Sequence, residues 1–509
     1  MELKKRTVKY YESVMEKSIV HSESAEMIVS DAYPDFERIV SAVGNVFIKD
    51  KTAQNGRVLI SGVAKVTALC KPEAGGKIHR VDVPVNFAHV EEGTLITQKS
   101  YISVQAAVRN IEPRLVNPRK IFVRVNISLK ITAYEASEKE ICYEIASEEN
   151  ENLQLLKNQY ETMLAIEIKE KSFTVIEDVD IDQVAETHEL CGHKISVRNE
   201  ETRLTKNKAV VKGSLMVHLT ALNAATSELR GHDFRLPFSQ ILEMEGIDET
   251  CELKIASHIK NADFVVGGGE TGTSRKLQCM VSVEIFAVAY AKQIVNAVCD
   301  VYSTNFETTL ETAPCVFTSP GATRERIVEV NEAVKLDSPV LSVIDSSVSL
   351  SAPEMISDPQ SKITSTAYVS VLYQNTANEL SSGTAAINVD CMDPVAGKDG
   401  ADISCECSSY HVSANPDGSV QVSMSVLFET EEKVSVKIPH IKKVSLNHDR
   451  KNEQNRNLSL ILTYMPGGES LWSVAKRYNT TASQIASANG FTADEKIPQG
   501  RMLLIPIER

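Results

Sequence analysis

The chain has 509 residues, 42% of them hydrophobic and only 6% aromatic, and carries a net charge of −14 at pH 7. That length holds roughly three to four domains. The acidic balance argues against a nonspecific nucleic-acid binder, which needs clustered Lys and Arg to neutralise phosphates, and no stretch of about 18 apolar residues is present to form a transmembrane helix.

In chain order, the start (Met1-Glu-Leu-Lys-Lys-Arg6) is basic but leads into no apolar segment. No signal peptide is read there, and the protein is expected to stay in the compartment where it is made. A short helix is expected after Tyr33-Pro34, with Phe36, Ile39 and Val40 on one side. Beyond it the apolar residues alternate, and frequent Val, Ile and Thr favour strands. Val58 to Leu69 is one such strand, Ala209 to Thr220 resembles it, and Lys362 to Tyr373 is a third copy. The first two carry Gly62 and Gly213 in mid-strand, which signals a bulge or a close approach of backbone. Val81 to Phe87 and Phe234 to Phe238 each contain a proline, so both are expected at sheet edges.

A longer strand comes later in each copy. Arg119 to Tyr134 aligns without a gap with Arg275 to Tyr290, and Val420 to Phe428 is a weaker third match. Ile121, Val123, Val125, Ile127, Leu129 and Ile131 alternate with mostly polar residues, the pattern of a half-buried strand. A period of about 150 residues is too long for a solenoid. The reading is mainly β, with tandem β-rich repeats over 1–148, 149–303 and 304–446. Asn447 to Asn457 lacks any apolar residue and reads as a solvated linker, a flexible tether for the C-terminal segment.

Several motifs imitate catalytic or ligand sites. Gly267-x-x-x-x-Gly272 has Thr273 where a phosphate loop needs Lys, and a strand rather than a helix comes next, so it reads as a hairpin loop. Asp178, Asp180 and Asp182 share one strand face and read as a solvated edge more readily than a calcium site. The ten cysteines show one close pair, Cys405 and Cys407, on one strand face without a second pair at zinc spacing. They read as reduced, buried thiols. The histidines have no metalloprotease or triad spacing, and Ser473-Val-Ala-Lys476 lacks the partner motifs of an S-x-x-K hydrolase. With no nucleophile beside a base, no enzyme, cofactor or metal is expected.

The last fifty residues are the most informative. Ser470 precedes Leu471, Val474, Ala475 and Tyr478, which are spaced for one helical face, and its hydroxyl can cap the first turn. Asn479 ends that helix. Thr481 and Gln484 have the spacing of a capping box for a second helix, which Asn489-Gly490 stops. Trp472, the only tryptophan, is expected in the small core rather than under a sugar.

Gly468-Glu-Ser-Leu-Trp472, the first helix, Ala488-Asn489 and Gly500-x-x-Leu503-x-Ile505-Pro506 together resemble a LysM module, placed over 458–509. The resemblance implies a small βααβ fold that binds N-acetylglucosamine polymers such as peptidoglycan, and sometimes proteins. It also implies a groove between two loops, here Gly468, Glu469, Ser470 and Leu471 on one side and Asn489, Gly490, Phe491, Ile497 and Pro498 on the other. Glu469, Ser470 and Arg501 stand where the family usually has Asp, Thr and Gln, which leaves a protein ligand open.

The β repeats with Gly-centred strands, the opening Ser30-Asp-Ala-Tyr-Pro34 and the single closing LysM module resemble the SPOCS-domain spore coat proteins. That resemblance implies a non-enzymatic assembly adaptor in the mother-cell cytoplasm, recruited to the forespore surface. Its LysM module would contact the ATPase of the coat basement layer. The alternative is a peptidoglycan-binding wall or cortex protein in which the β repeats are spacers.

Overall fold

The computed structural model describes residues 1–180, 187–223, 229–268, 275–356, 362–393, 401–452, 460–464, 469–490, 500 and 502–506. The chain is mainly β, and one pattern of strand pairing occurs three times. First come β1 (Glu2–Ile28), β2 (Phe36–Gln54), β3 (Arg57–Pro72), β4 (His79–Glu92), β5 (Tyr101–Asn117) and β6 (Lys120–Ala146). The long outer strands β1 and β6 pair antiparallel, β5 adds to β6, and β2-β3-β4 form a separate meander. The second block repeats this with β7 (Leu153–Asp180), β8 (Thr187–Thr205), β9 (Lys208–Asn223), β10 (Leu229–Glu243), β11 (Glu252–Gly268) and β12 (Arg275–Ser303). The third comprises β13 (Phe306–Val334), β14 (Val340–Leu350), β15 (Glu354–Ile356), β16 (Lys362–Asn375), β17 (Leu380–Met392), β18 (Asp402–Ala414) and β19 (Val420–Lys451). Here β16 is central, with β14 and β15 on one side and β17 on the other.

The aligned sequence segments land at matching places. The three long matches lie in β6, β12 and β19, and the three upstream matches lie in the central strands β3, β9 and β16. The alternation predicted for β6 holds, since Ile121, Val123, Val125, Ile127, Leu129 and Ile131 are all fully buried. Pro84 in β4 and Pro237 in β10 sit on edge strands, the position in a sheet that tolerates a missing N–H. Gly62 pairs with Phe87, and Gly213 pairs with Phe238. A Cβ at either glycine would lie 2.6 Å from the ring tip of its phenylalanine, so each ring closes over a bare backbone.

The helix expected after Pro34 is instead the start of β2. Two register shifts, between Phe36 and Arg38 and between Ile39 and Ser41, each insert an extra residue. Buried Phe36 and Val40 thereby turn inward at a spacing that imitates a helix. The stretch read as linker also begins as strand, for Asn447 and Lys451 pair with Glu307 and Phe306 of β13. It is exposed, as its polarity requires, yet its backbone is held. Asn452 then donates its side-chain amide to the carbonyls of Ser303 and Thr304, at 3.0 and 3.2 Å. Residues 453–459 lie outside the described residues.

The blocks are not beads on a string. β1 and β7 meet at Tyr11 and Ala165, joining two blocks into a six-stranded sheet. All three blocks feed one apolar cluster: Tyr10 and Ile141, then Leu164, Val295 and Ala297, then Phe317 and Ile438. A second three-way cluster forms among the meanders from Val40 and Leu69, Cys191, Leu222 and Leu229, and Leu372. Polar ties reinforce these junctions. Glu284 is almost fully buried in β12 and accepts Lys51 of β2 at 2.5 Å and Lys260 of β11 at 3.0 Å. Burial raises its carboxyl pKa, but the Lys51 hydrogen bond and charge outweigh this and hold it at about 2. Lys194 of β8 reaches Asp345 of β14 at 3.1 Å.

Among the described residues, no group of three or more His, Cys, Asp and Glu is placed to hold a metal ion, and no helix is long and apolar enough to cross a membrane. None of the ten cysteines is in a disulfide. Cys405 and Cys407 face the same core from β18. β11 and β12 pair antiparallel as far as Gly268 opposite Arg275, and residues 269–274 of the glycine-rich stretch read as a hairpin loop lie outside the described residues. Asp178 and Asp180 end β7 opposite Gln278 and Lys276 of β12, and residues 181–186 lie outside the described set.

Candidate functional site

The C-terminal element is built from β20 (Leu460–Tyr464), α1 (Leu471–Arg477), α2 (Ala482–Asn489) and β21 (Met502–Pro506). The two strands pair antiparallel, from Leu460 opposite Pro506 to Tyr464 opposite Met502, and the helices lie between them in sequence. Leu471, Val474 and Ala475 of α1 pack on Ile485 and Ala486 of α2 and on Leu503 and Ile505 of β21. The caps agree with the sequence. Ser470 Oγ accepts the Ser473 N–H at 3.2 Å. Thr481 and Gln484 bond reciprocally, each at 3.1 Å, as a capping box. Gly490 stops α2 at φ 75°, a left-handed conformation that costs glycine nothing.

Of the expected groove residues, Glu469, Ser470, Leu471, Asn489 and Gly490 are described, whereas Gly468, Phe491, Ile497 and Pro498 lie outside the described residues. Leu471 is buried in the core of the domain. Asn489 is also committed inward. Its amide donates to the carbonyls of Ile485 at 2.7 Å and Leu504 at 2.6 Å, and its oxygen accepts the Leu504 N–H at 2.8 Å. It pins α2 to β21 as a third strand would. Glu469 Oε1 accepts Arg477 at 2.7 Å, so the longer acid of the first loop is tied to the last turn of α1. Its Oε2 is buried without a hydrogen-bond partner. Among the described residues of this loop, Glu469 to Leu471, what remains for a ligand is backbone and the Glu469–Arg477 pair.

Residues 468–506 match the LysM domain family. This tail is a LysM domain. It is a binding module rather than a catalytic one, and the family points to peptidoglycan or another N-acetylglucosamine polymer as ligand. No curated protein and no solved structure matches the chain.

Sequence reasoning missed the surface on which the LysM domain rests. Trp472 is half-buried against the expected core, but its ring meets Tyr302 of β12 edge-on, with centroids 4.8 Å apart. Its indole N–H donates to Asp300 Oδ2 at 2.8 Å. Lys476, one turn further along α1, bonds both Asp300 oxygens at 2.6 and 2.8 Å. Tyr302 is buried and donates its hydroxyl to the Thr480 carbonyl at 2.7 Å, and burial pushes its phenol pKa up. The LysM domain is thus packed on the second block, although it comes after the third in sequence. Ser473 and Lys476, the imitation hydrolase pair, are spent on the helix cap and on Asp300.

Proposed function

We propose that this chain is a non-enzymatic assembly adaptor, in which three β domains form the scaffold and the LysM domain grips a macromolecule. The match of residues 468–506 to the LysM family carries this reading. It makes an N-acetylglucosamine polymer such as peptidoglycan the first ligand to test. The narrower reading is an adaptor of the bacterial spore coat, made in the mother cell and held at the forespore surface through the basement-layer ATPase. Two observations support it. A pairing pattern repeated three times and succeeded by one LysM domain fits the coat-protein resemblance. The Glu469–Arg477 pair gives the first loop a charged surface suited to a protein.

The test is sedimentation of the full chain, and of a chain ending at Asn452, with insoluble peptidoglycan and with polymers of the purified coat ATPase. The full chain co-sediments with one of the two, and the shortened chain with neither. Retention of the shortened chain would place binding in the β domains and sink the proposal. Peptidoglycan binding alone selects the wall or cortex reading, and ATPase binding alone selects the coat reading.

A further inference from the structure

The contact between the LysM domain and β12 has the marks of a site built for it. Both oxygens of Asp300 are taken by LysM donors, and Tyr302 spends its ring on Trp472 and its hydroxyl on Thr480. A register shift between Val298 and Asp300 re-aims the strand at this point. The end of β12 has counterparts in the other blocks, because Cys142, Val298 and Ile441 share one apolar cluster. Two and four residues beyond them stand Asp300 and Tyr302 in β12, Glu144 and Ala146 in β6, and Lys443 and Ser445 in β19. Only β12 combines an acid with a tyrosine, and Glu144 is already engaged by Lys157 at 2.9 Å.

We infer that Asp300 and Tyr302 form a specific seat for this chain's own LysM domain, so that the groove is presented in one fixed orientation on the β scaffold. The seat chooses the second block by chemistry, since the chain enters the LysM domain from the third. It withdraws Trp472 from ligand recognition. It also makes the length of the 453–459 connection secondary, whichever ligand the groove takes.

Trp472 is the only tryptophan, so the emission of the full-length protein reports the seat directly. In the unmodified chain the emission is that of a half-buried indole, to the blue of exposed tryptophan, and acrylamide quenches it only weakly. It stays so when about twelve Gly and Ser residues, a flexible insert, are added after Asn455. Asp300→Lys shifts the emission to the red and raises the quenching constant severalfold. Combining Asp300→Lys with Lys476→Glu reverses most of that change, a rescue that general destabilisation would not give. Tyr302→Ala acts as Asp300→Lys does, with the strand circular dichroism unchanged. The inference fails if the unmodified chain already emits like exposed indole, if the insert alone releases the tryptophan, or if the paired charge swap restores nothing.

Discussion

At the residue scale, two glycines show how tightly the meanders are closed. Gly62 and Gly213 lie beneath Phe87 and Phe238, and each would also set a Cβ against a neighbouring carbonyl oxygen. Backbone oxygen cannot move as a side-chain tip can, so Gly62→Ala is expected to cost about 1–3 kcal/mol, the range for overpacking. Urea unfolding would measure it, and Gly213→Ala should match. An unchanged midpoint in both would mean the rings are free to swing away. Mid-strand glycine in an alternating strand was legible as a close approach. Which ring closes on it was not, because Phe87 lies on another strand and register is set by the whole meander. The LysM residues divide the same way. Leu471 and Asn489 were readable as motif positions, but sequence could not separate groove from core. Leu471→Ala should unfold the LysM domain rather than merely weaken its grip, at about 2–5 kcal/mol for a buried leucine. Loss of the amide-exchange protection of Ala475 and Ile485 would show it, and retained protection would return Leu471 to the groove.

At the element scale, local chemistry decided what could be foreseen. Both short helices of the LysM domain were readable because their caps are local: Ser470 to Ser473, Thr481 to Gln484, and Gly490. Thr481→Ala removes one half of the capping box and should cost about 1 kcal/mol of LysM stability, measured as faster amide exchange in α2. A stability unchanged within error would show that Asn489, through Leu504, holds α2 alone. The misread elements are those whose state is decided far away in sequence. β2 imitates a helix because two bulges imposed by β3 place Phe36 and Val40 at helical spacing. The polar end of β19 imitates a linker, but β13 offers it a partner. Polarity tells exposure and not whether a backbone is paired.

At the scale of the whole molecule, the three blocks share buried groups, so the scaffold should respond to pH as one body. Burial, foremost, lowers the pKa values of His193 in β8 and His258 in β11 to about 4. His193 packs on Phe264, and its backbone carbonyl takes an amide from Asn45 of the first block. His258 lies 3.4 Å from Glu284 at the Lys51 junction. Each imidazole is neutral in the fold and protonates in the unfolded chain near pH 6.5, so the unfolded state binds the extra protons. The stability penalty of keeping them neutral is absent above pH 6.5 and grows as pH falls toward 4, to the order of 3 kcal/mol each. Glu284, depressed to about 2, adds stability above pH 4.5 that is lost between there and pH 2. His218 runs the other way. Its bond to Asp345 raises its pKa, so its contribution is full below pH 6.5 and lost as pH rises through the folded value. The expected curve is a loss of stability that starts below pH 6.5 and steepens below 4.5. His258→Gln should flatten the pH 4–6.5 limb, read as the pH dependence of the urea midpoint. A slope identical to that of the unmodified chain would mean that water reaches His258 and that the Lys51–Glu284 junction is open.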